Sequence, residues 1–276
     1  MRNRLFLTVI VLFCCAGLLQ AATVDTLLTR SASMKKEIKA VVIKPDSYAS
    51  GKRFPVVYLL HGYSGNYSNW IEKVPGIKED ADRYQVLIVC PDGGFGSWYW
   101  NSPVDPAFQY ETYVAEELVS LIDRQYKTIT GAGGRAITGL SMGGHGALYL
   151  ALKHPEVYGA AGSMSGGVDI RPFPNNWDMA KRLGSYASNK ALWEENTVMN
   201  LLHLAQPGKP ALIIDCGTAD FFFEVNERLH KELLYRNIPH DYITRPGSHN
   251  WDYWKNAVRY QLLYFYDYFN RVYSRN

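Results

Sequence analysis

Near its midpoint the chain reads Arg135-Ala-Ile-Thr-Gly-Leu-Ser-Met-Gly-Gly-His-Gly-Ala-Leu-Tyr-Leu150, and the two ends of that segment differ in character. Residues 135–139 form a short run that suits a buried strand. Residues 145–154 hold helix formers and end before Pro155, a residue that helices rarely run into. Between them, Gly139-Leu-Ser-Met-Gly143 spells G-x-S-x-G. The bare pentapeptide recurs by chance, but between a strand and a helix it marks a tight turn with the serine at its apex. Flanking residues without Cβ let neighbouring backbone come close. The helix that follows aims its first N–H groups back at the turn, where they would stabilise developing negative charge. Ser141 is therefore the candidate nucleophile.

Working outward, the same alternation repeats. Pro55-Val-Val-Tyr-Leu-Leu60 and Val86-Leu-Ile-Val-Cys90 are continuous apolar runs closed by His61-Gly62 and Pro91-Asp-Gly-Gly94. Runs buried on both faces suggest central parallel strands. Further strands are expected over 158–164, 211–215 and 240–244, and helices over 110–126, 224–237 and 251–272. Residues 34–43 suggest an early antiparallel strand, followed by a turn over 44–54. Residues 166–208, richer in Asn, Pro, Trp and Ser, suggest an insertion beside the site. Strands alternating with helices imply an α/β fold with a mostly parallel central sheet and helices on both faces. With no internal repeat or low-complexity linker, one domain is expected.

Composition agrees. The chain has 276 residues, 47% hydrophobic and 20% charged, which excludes disordered, collagenous, coiled-coil and disulfide-scaffold classes. A formal charge of +3, with no Lys/Arg run longer than two, argues against nucleic-acid binding. At the N-terminus, Arg2 and Arg4 precede a 15-residue apolar run, Leu5 to Leu19, and then Ala21-Ala22. That run is short for a membrane span and suits a signal peptide. Residues 1–22 are expected to be a cleaved signal peptide, leaving 23–276 as a periplasmic or secreted domain without a stable membrane span. Cys14 and Cys15 lack the context of a lipobox. Cys90 and Cys216 then remain, each ending an apolar run, where cysteine commonly serves as a small hydrophobe.

A serine hydroxyl needs a base. In this kind of sheet the chain order is serine, acid, histidine. Of the seven histidines, His249 lies in the loop after the last expected strand, where such sites gather. His145 and His154 belong to the helix behind the nucleophile, and His61 precedes it in a loop it would support. Asp215 and Asp220 both follow the preceding strand run. A loop acid reaches the histidine better than one at a strand end, which favours Asp220 over Asp215. Asp252, three residues after His249, suits a helix cap. For the oxyanion, the backbone N–H of Met142 and of Tyr63, in the loop His61-Gly-Tyr-Ser-Gly65, are the candidate donors. Trp98, Tyr99 and Trp251 are candidate substrate contacts, and for Trp100 and Trp254 core or surface packing is at least as good an explanation.

These residues carry a resemblance. Tyr58-Leu-Leu-His-Gly62, Pro91-Asp-Gly93 with Ser97-Trp-Tyr99, Gly139 to Gly144, Cys216-Gly-Thr-Ala-Asp220 and Gly247-Ser-His-Asn-Trp251 with Trp254 together resemble the esterase D / feruloyl esterase group of α/β-hydrolases. That group takes in S-formylglutathione hydrolases, antigen 85-type mycolyltransferases and carbohydrate esterases. The resemblance covers roughly residues 35–270. It implies an α/β-hydrolase fold and a serine esterase with Ser141, His249 and Asp220 as its triad. It also implies that Cys90 and Cys216 end strands too far apart to bridge. Export argues against the cytosolic task of S-formylglutathione hydrolysis. Feruloyl or acetyl esters of polysaccharides are the first expectation for the substrate. Siderophore esters, cell-wall acyl transfer and a silent binding module of the same fold are the alternatives.

Other signals fail. Gly131-Ala-Gly-Gly-Arg-Ala136 resembles a dinucleotide fingerprint but precedes a strand instead of following one. Cysteines and histidines do not cluster at zinc spacing, so neither metal nor other cofactor is expected.

Overall fold

The computed structural model describes residues 21–274. All but the last two residues of the expected signal peptide lie outside that range. Eight strands form one sheet in the order β1-β2-β4-β3-β5-β6-β7-β8. These are β1 Thr23–Ser31, β2 Lys36–Lys44, β3 Val56–Leu60, β4 Leu87–Pro91, β5 Arg135–Gly139, β6 Ala160–Met164, β7 Ala211–Gly217 and β8 His240–Arg245. β1 and β2 pair antiparallel, as do β2 and β4, and every pair from β4 to β8 is parallel.

The apolar runs explain the middle of this sheet. Every residue of β3, β4, β5 and β6 is buried. Fully burying one aliphatic side chain is worth about 1.5–3 kcal/mol, so strands of this composition are driven to the centre. Alternate residues serve opposite faces. Val56, Tyr58 and Leu60 join one core cluster, and Val57 and Leu59 the other. The first cluster packs beneath the Met142–Lys153 helix, the second beneath the Trp251–Tyr273 helix. Cys90 and Cys216 end β4 and β7, four strand positions apart, and both are buried free thiols.

Three differences from the sequence reading stand out. β1 was not expected. It is an edge strand, largely open to solvent, so its side chains carry little of the apolar signal that marks the centre. The insertion over 166–208 folds as short helices, Met179–Leu183, Lys190–Glu195 and Val198–Leu201. The last of these docks Val198 beside Leu148 and Leu152 of the Met142–Lys153 helix. Asp252 is not the cap of the final helix. Asn250 is, its side chain accepting from Tyr253 N–H at 3.1 Å, while Asp252 is exposed and pairs with Lys255.

A polar cluster fastens the Met142–Lys153 helix from behind. Glu111 accepts from His154 Nε2 at 3.0 Å, from Lys153 Nζ at 2.9 Å and from Tyr149 Oη at 2.8 Å. Burial pushes the Glu111 carboxyl up, but the bonds from His154 and Lys153 outweigh it and hold it at about 2, against an ordinary value of 4.5. A carboxyl depressed in the folded state stabilises the fold above its unfolded value, and that contribution is lost as pH falls through the folded one. Urea unfolding of wild type should therefore weaken steeply between pH 4.5 and 2. Glu111→Gln should be less stable at pH 7 and flatter over that acid range. Parallel pH curves for the two proteins would refute this role.

Candidate active site

β5 delivers Ser141 at the C-terminal end of the sheet, where crossover loops gather. The Met142–Lys153 helix begins at the next residue, so the serine sits on the elbow between them. Its φ of 55° and ψ of −117° fall in a region that residues with side chains rarely adopt. The turn is held from several sides. Ser141 N–H donates to Met164 O at 2.9 Å, tying the elbow to the end of β6, and Gly143 N–H donates to Leu140 O at 2.7 Å. A Cβ on Gly143 would lie 2.6 Å from His61 O and 2.7 Å from Leu60 O, and one on Gly139 would meet Gly143 itself. The two motif glycines are thus a packing requirement of backbone against backbone.

The loops after β7 and β8 complete the constellation. His249 Nε2 lies 2.9 Å from Ser141 Oγ, and His249 Nδ1 lies 2.8 and 3.0 Å from the two oxygens of Asp220. Asp220 is buried and also accepts from Phe222 N–H at 2.8 Å, which fixes its carboxylate plane. With Nδ1–H turned to the carboxylate, Nε2 presents its lone pair to the serine hydroxyl. Asp215 is elsewhere. Its oxygens are taken by Arg245, at 2.6 Å, and by Tyr253 Oη, and burial raises its pKa against both partners.

Met142 N–H and Tyr63 N–H face no hydrogen-bond acceptor among the described residues. The loop bearing Tyr63 is supported by His61, which is buried. His61 Nε2 accepts from Gly93 N–H at 2.7 Å, and its Nδ1 lies 2.7 Å from Gly62 O, so the proton resides on Nδ1. His145 is likewise buried and fully used. Trp100 Nε1–H donates to its Nε2 and its Nδ1 faces Gly167 O, while burial lowers its pKa to about 3.

A cleft of about 410 Å³ opens over Ser141 and His249, walled by Tyr63, Trp177, Phe221 and Trp251. The expectation for Trp98 and Tyr99 is corrected. Their exposures are 1% and 0%, and neither lines the cleft. Left-handed backbone, φ 56° and 62°, turns both rings inward. Trp98 Nε1–H then donates to Trp177 O at 3.0 Å, and Tyr99 Oη to His61 O at 3.0 Å, so they brace the walls from behind. Trp100 is buried too, whereas Trp254 reaches the cleft and packs edge-on against the His249 ring. Trp177 and Phe221 were missed. The Phe221-Phe-Phe223 run directly after Asp220 was a usable signal, but nothing local marks Trp177.

A serine on a strained strand–helix elbow, met by a histidine and an acid from the last two strand-end loops of a mostly parallel sheet, defines an α/β-hydrolase. The chain belongs to the esterase family whose model is described as "Putative esterase", matched over residues 31–265. An esterase of Mycobacterium tuberculosis is 37% identical over 235 residues, covering 75% of this chain and 51% of its own. The chain therefore spans about half the length of that relative. An acetyl esterase of Caldicellulosiruptor saccharolyticus is 25% identical over 248 residues, covering 83% of this chain and 92% of its own. Among solved structures, a ferulic acid esterase is similar with a TM-score of 0.75 and 27% identity, over 90% of this chain and 98% of its own.

The close backbone contact at Gly143 gives a direct test. Gly143→Ala should lose about 1–3 kcal/mol in urea unfolding, because the methyl meets fixed carbonyls. A loss below about 0.5 kcal/mol, the range of ordinary surface changes, would show that the elbow relaxes freely.

Proposed function

We propose that this protein is an exported serine hydrolase of carboxylic esters, acting on feruloyl or acetyl esters of polysaccharides through Ser141, His249 and Asp220. The observation that carries the reading is the continuous chain Ser141 Oγ, His249 Nε2, His249 Nδ1, Asp220, with contacts of 2.9 and 2.8 Å. In the first step Ser141 Oγ attacks the ester carbonyl carbon while His249 takes its proton. The carbonyl oxygen becomes an oxyanion held by the N–H groups of Met142 and Tyr63. The intermediate collapses, His249 protonates the departing alcohol, and an acyl-Ser141 ester remains. Water, deprotonated by His249, releases the acid and restores the hydroxyl. Asp220 keeps His249 in the required tautomer and stabilises its cationic form.

The polysaccharide reading is supported by an open, aromatic-walled cleft and by relatives named as acetyl esterase and ferulic acid esterase. The export reading is supported by the charged and apolar N-terminal sequence. No helix among the described residues is long and apolar enough to cross a membrane.

A panel of p-nitrophenyl acetate, methyl ferulate, acetylated xylan and a catecholate siderophore ester, assayed on residues 23–276, tests the proposal. Ser141→Ala should lose about 10⁴-fold or more in kcat, and Asp220→Asn about 10⁴-fold. Asp215→Asn should lose stability and, by loosening the ends of the His249 loop, a small part of turnover, far less than Asp220→Asn. Ferulate or acetylxylan should lead the ranking. A folded wild type inert to every ester, or a Ser141→Ala variant as fast as wild type, would sink the hydrolase reading.

A further inference from the structure

The insertion over 166–208 meets the cleft at Trp177, and Trp177 and the adjoining Asp178 both hold left-handed backbone, with φ of 48° and 57°. For a tryptophan this is costly and persists only where surroundings enforce it. Three contacts do so. Trp98 Nε1–H donates to Trp177 O at 3.0 Å, the Trp177 ring stacks on Phe221, and Tyr63 Oη donates to Asp178 Oδ2 at 3.2 Å. Lys181 Nζ, 2.9 Å from the Asp178 carboxylate, keeps it ionised and so a strong acceptor.

The Tyr63 contact links the insertion to the loop at the mouth of the site. That loop reads Gly62-Tyr-Ser-Gly65, so glycine on each side leaves its peptide planes little intrinsic resistance to rotation. On its Gly62 side the peptide of Tyr63 is held through the Gly62 carbonyl, which accepts from His61 Nδ1–H at 2.7 Å and from Gly65 N–H at 3.0 Å. On the side-chain side the Tyr63 ring packs edge-on against Phe95, and two further bonds complete the fastening. Ser64 N–H donates to Phe95 O at 2.7 Å, and the Tyr63 phenol reaches Asp178. Gly96 fills the space between: a Cβ there would approach the Tyr63 ring at 3.0 Å and Asp178 Cβ at 3.4 Å. The phenol–carboxylate bond therefore closes a small cage of three loops around Tyr63, whose own N–H faces no acceptor among the described residues.

We propose that Asp178 is a positioning residue, which fixes the Tyr63 peptide as an oxyanion donor by holding the Tyr63 side chain. The proposal rests on the hydrolase reading, since only there does Tyr63 N–H act on the reacting oxygen. Asp178 itself touches no reacting atom. Its effect falls on the charge-developed transition state, and so on kcat more than on KM.

The test uses residues 23–276 with p-nitrophenyl acetate, comparing Asp178→Ala, Asp178→Asn, Tyr63→Phe and the Tyr63→Phe/Asp178→Ala double variant. Tyr63→Phe keeps the N–H and loses only the phenol. Each of Asp178→Ala and Tyr63→Phe should lower kcat about tenfold, less than outright loss of a donor, with KM within about twofold. Asp178→Asn, whose amide oxygen still accepts, should restore most of the loss. The double variant should be no slower than either single one. Hydrogen exchange by mass spectrometry supplies a readout independent of turnover. Exchange across 61–66 should quicken in Asp178→Ala and stay at the wild-type rate in Asp178→Asn. Unchanged kcat in Asp178→Ala, a loss confined to KM, multiplying losses in the double variant, or unaltered exchange would each overturn the proposal. Wild type inert to the ester would overturn the hydrolase reading and the donor role of Tyr63 with it, while exchange would still judge the brace.

Discussion

The approach of the Gly143 backbone to the carbonyls of Leu60 and His61 is the contact on which the rest of the site depends. It presses the start of one helix onto the end of the neighbouring strand, with no room for a single carbon between them. Only that proximity makes the path through Ser141 short enough to need a φ of 55°. Such a conformation costs about 1–3 kcal/mol and is paid for by the surrounding sheet. The bond from Ser141 N–H to Met164 O matters for the same reason, because it removes the easiest direction of relaxation. The hydroxyl faces the cleft because the backbone beneath it has nowhere else to go.

Buried histidines set the surroundings. His61 and His145 are each neutral spacers whose two ring nitrogens are both engaged. An imidazole in that state joins two loops at a fixed distance without leaving an unpaired polar atom. His61 joins the loop after β3 to the loop after β4, and Tyr99 clamps its carbonyl from below. His145 joins the aromatic cluster at Trp100 to Gly167, just beyond the end of β6. His249 differs because its Nε2 is turned to a hydroxyl at the cleft rather than to a backbone group or an indole. Position in the topology, rather than local sequence, separates these three roles.

That distinction marks what could be read from sequence. The central strands, the elbow and the order of serine, acid and histidine were legible, because each rests on local composition or on chain order. β1 was not, since an edge strand exposes most of its side chains and shows little apolar run. The insertion was opaque because its helices are only four to six residues long and depend on docking, as Val198 does beside Leu148. Trp98 and Tyr99 show a subtler limit. Their aromatic character was visible, but direction depends on φ, and two consecutive left-handed residues send both rings into the core. Trp177 reaches the cleft from a segment with no pattern at all, and Trp98 holds it there.

The two acids of the β7 region show how neighbouring carboxylates come to differ. Asp215 and Asp220 are five residues apart, and both are buried. Asp215 still belongs to β7, where Arg245 of β8 and Tyr253 of the final helix claim its oxygens. Asp220 lies beyond the strand end, where Phe222 N–H orients it and the histidine ring completes its shell. The structural acid still bears on the site. Arg245 and Tyr253 bracket the loop 246–250, so Asp215 draws both ends of the His249-bearing loop toward β7. Asp220 meets His249 directly, and Asp215 sets where that histidine's loop begins and ends, so the geometry of the pair depends on both.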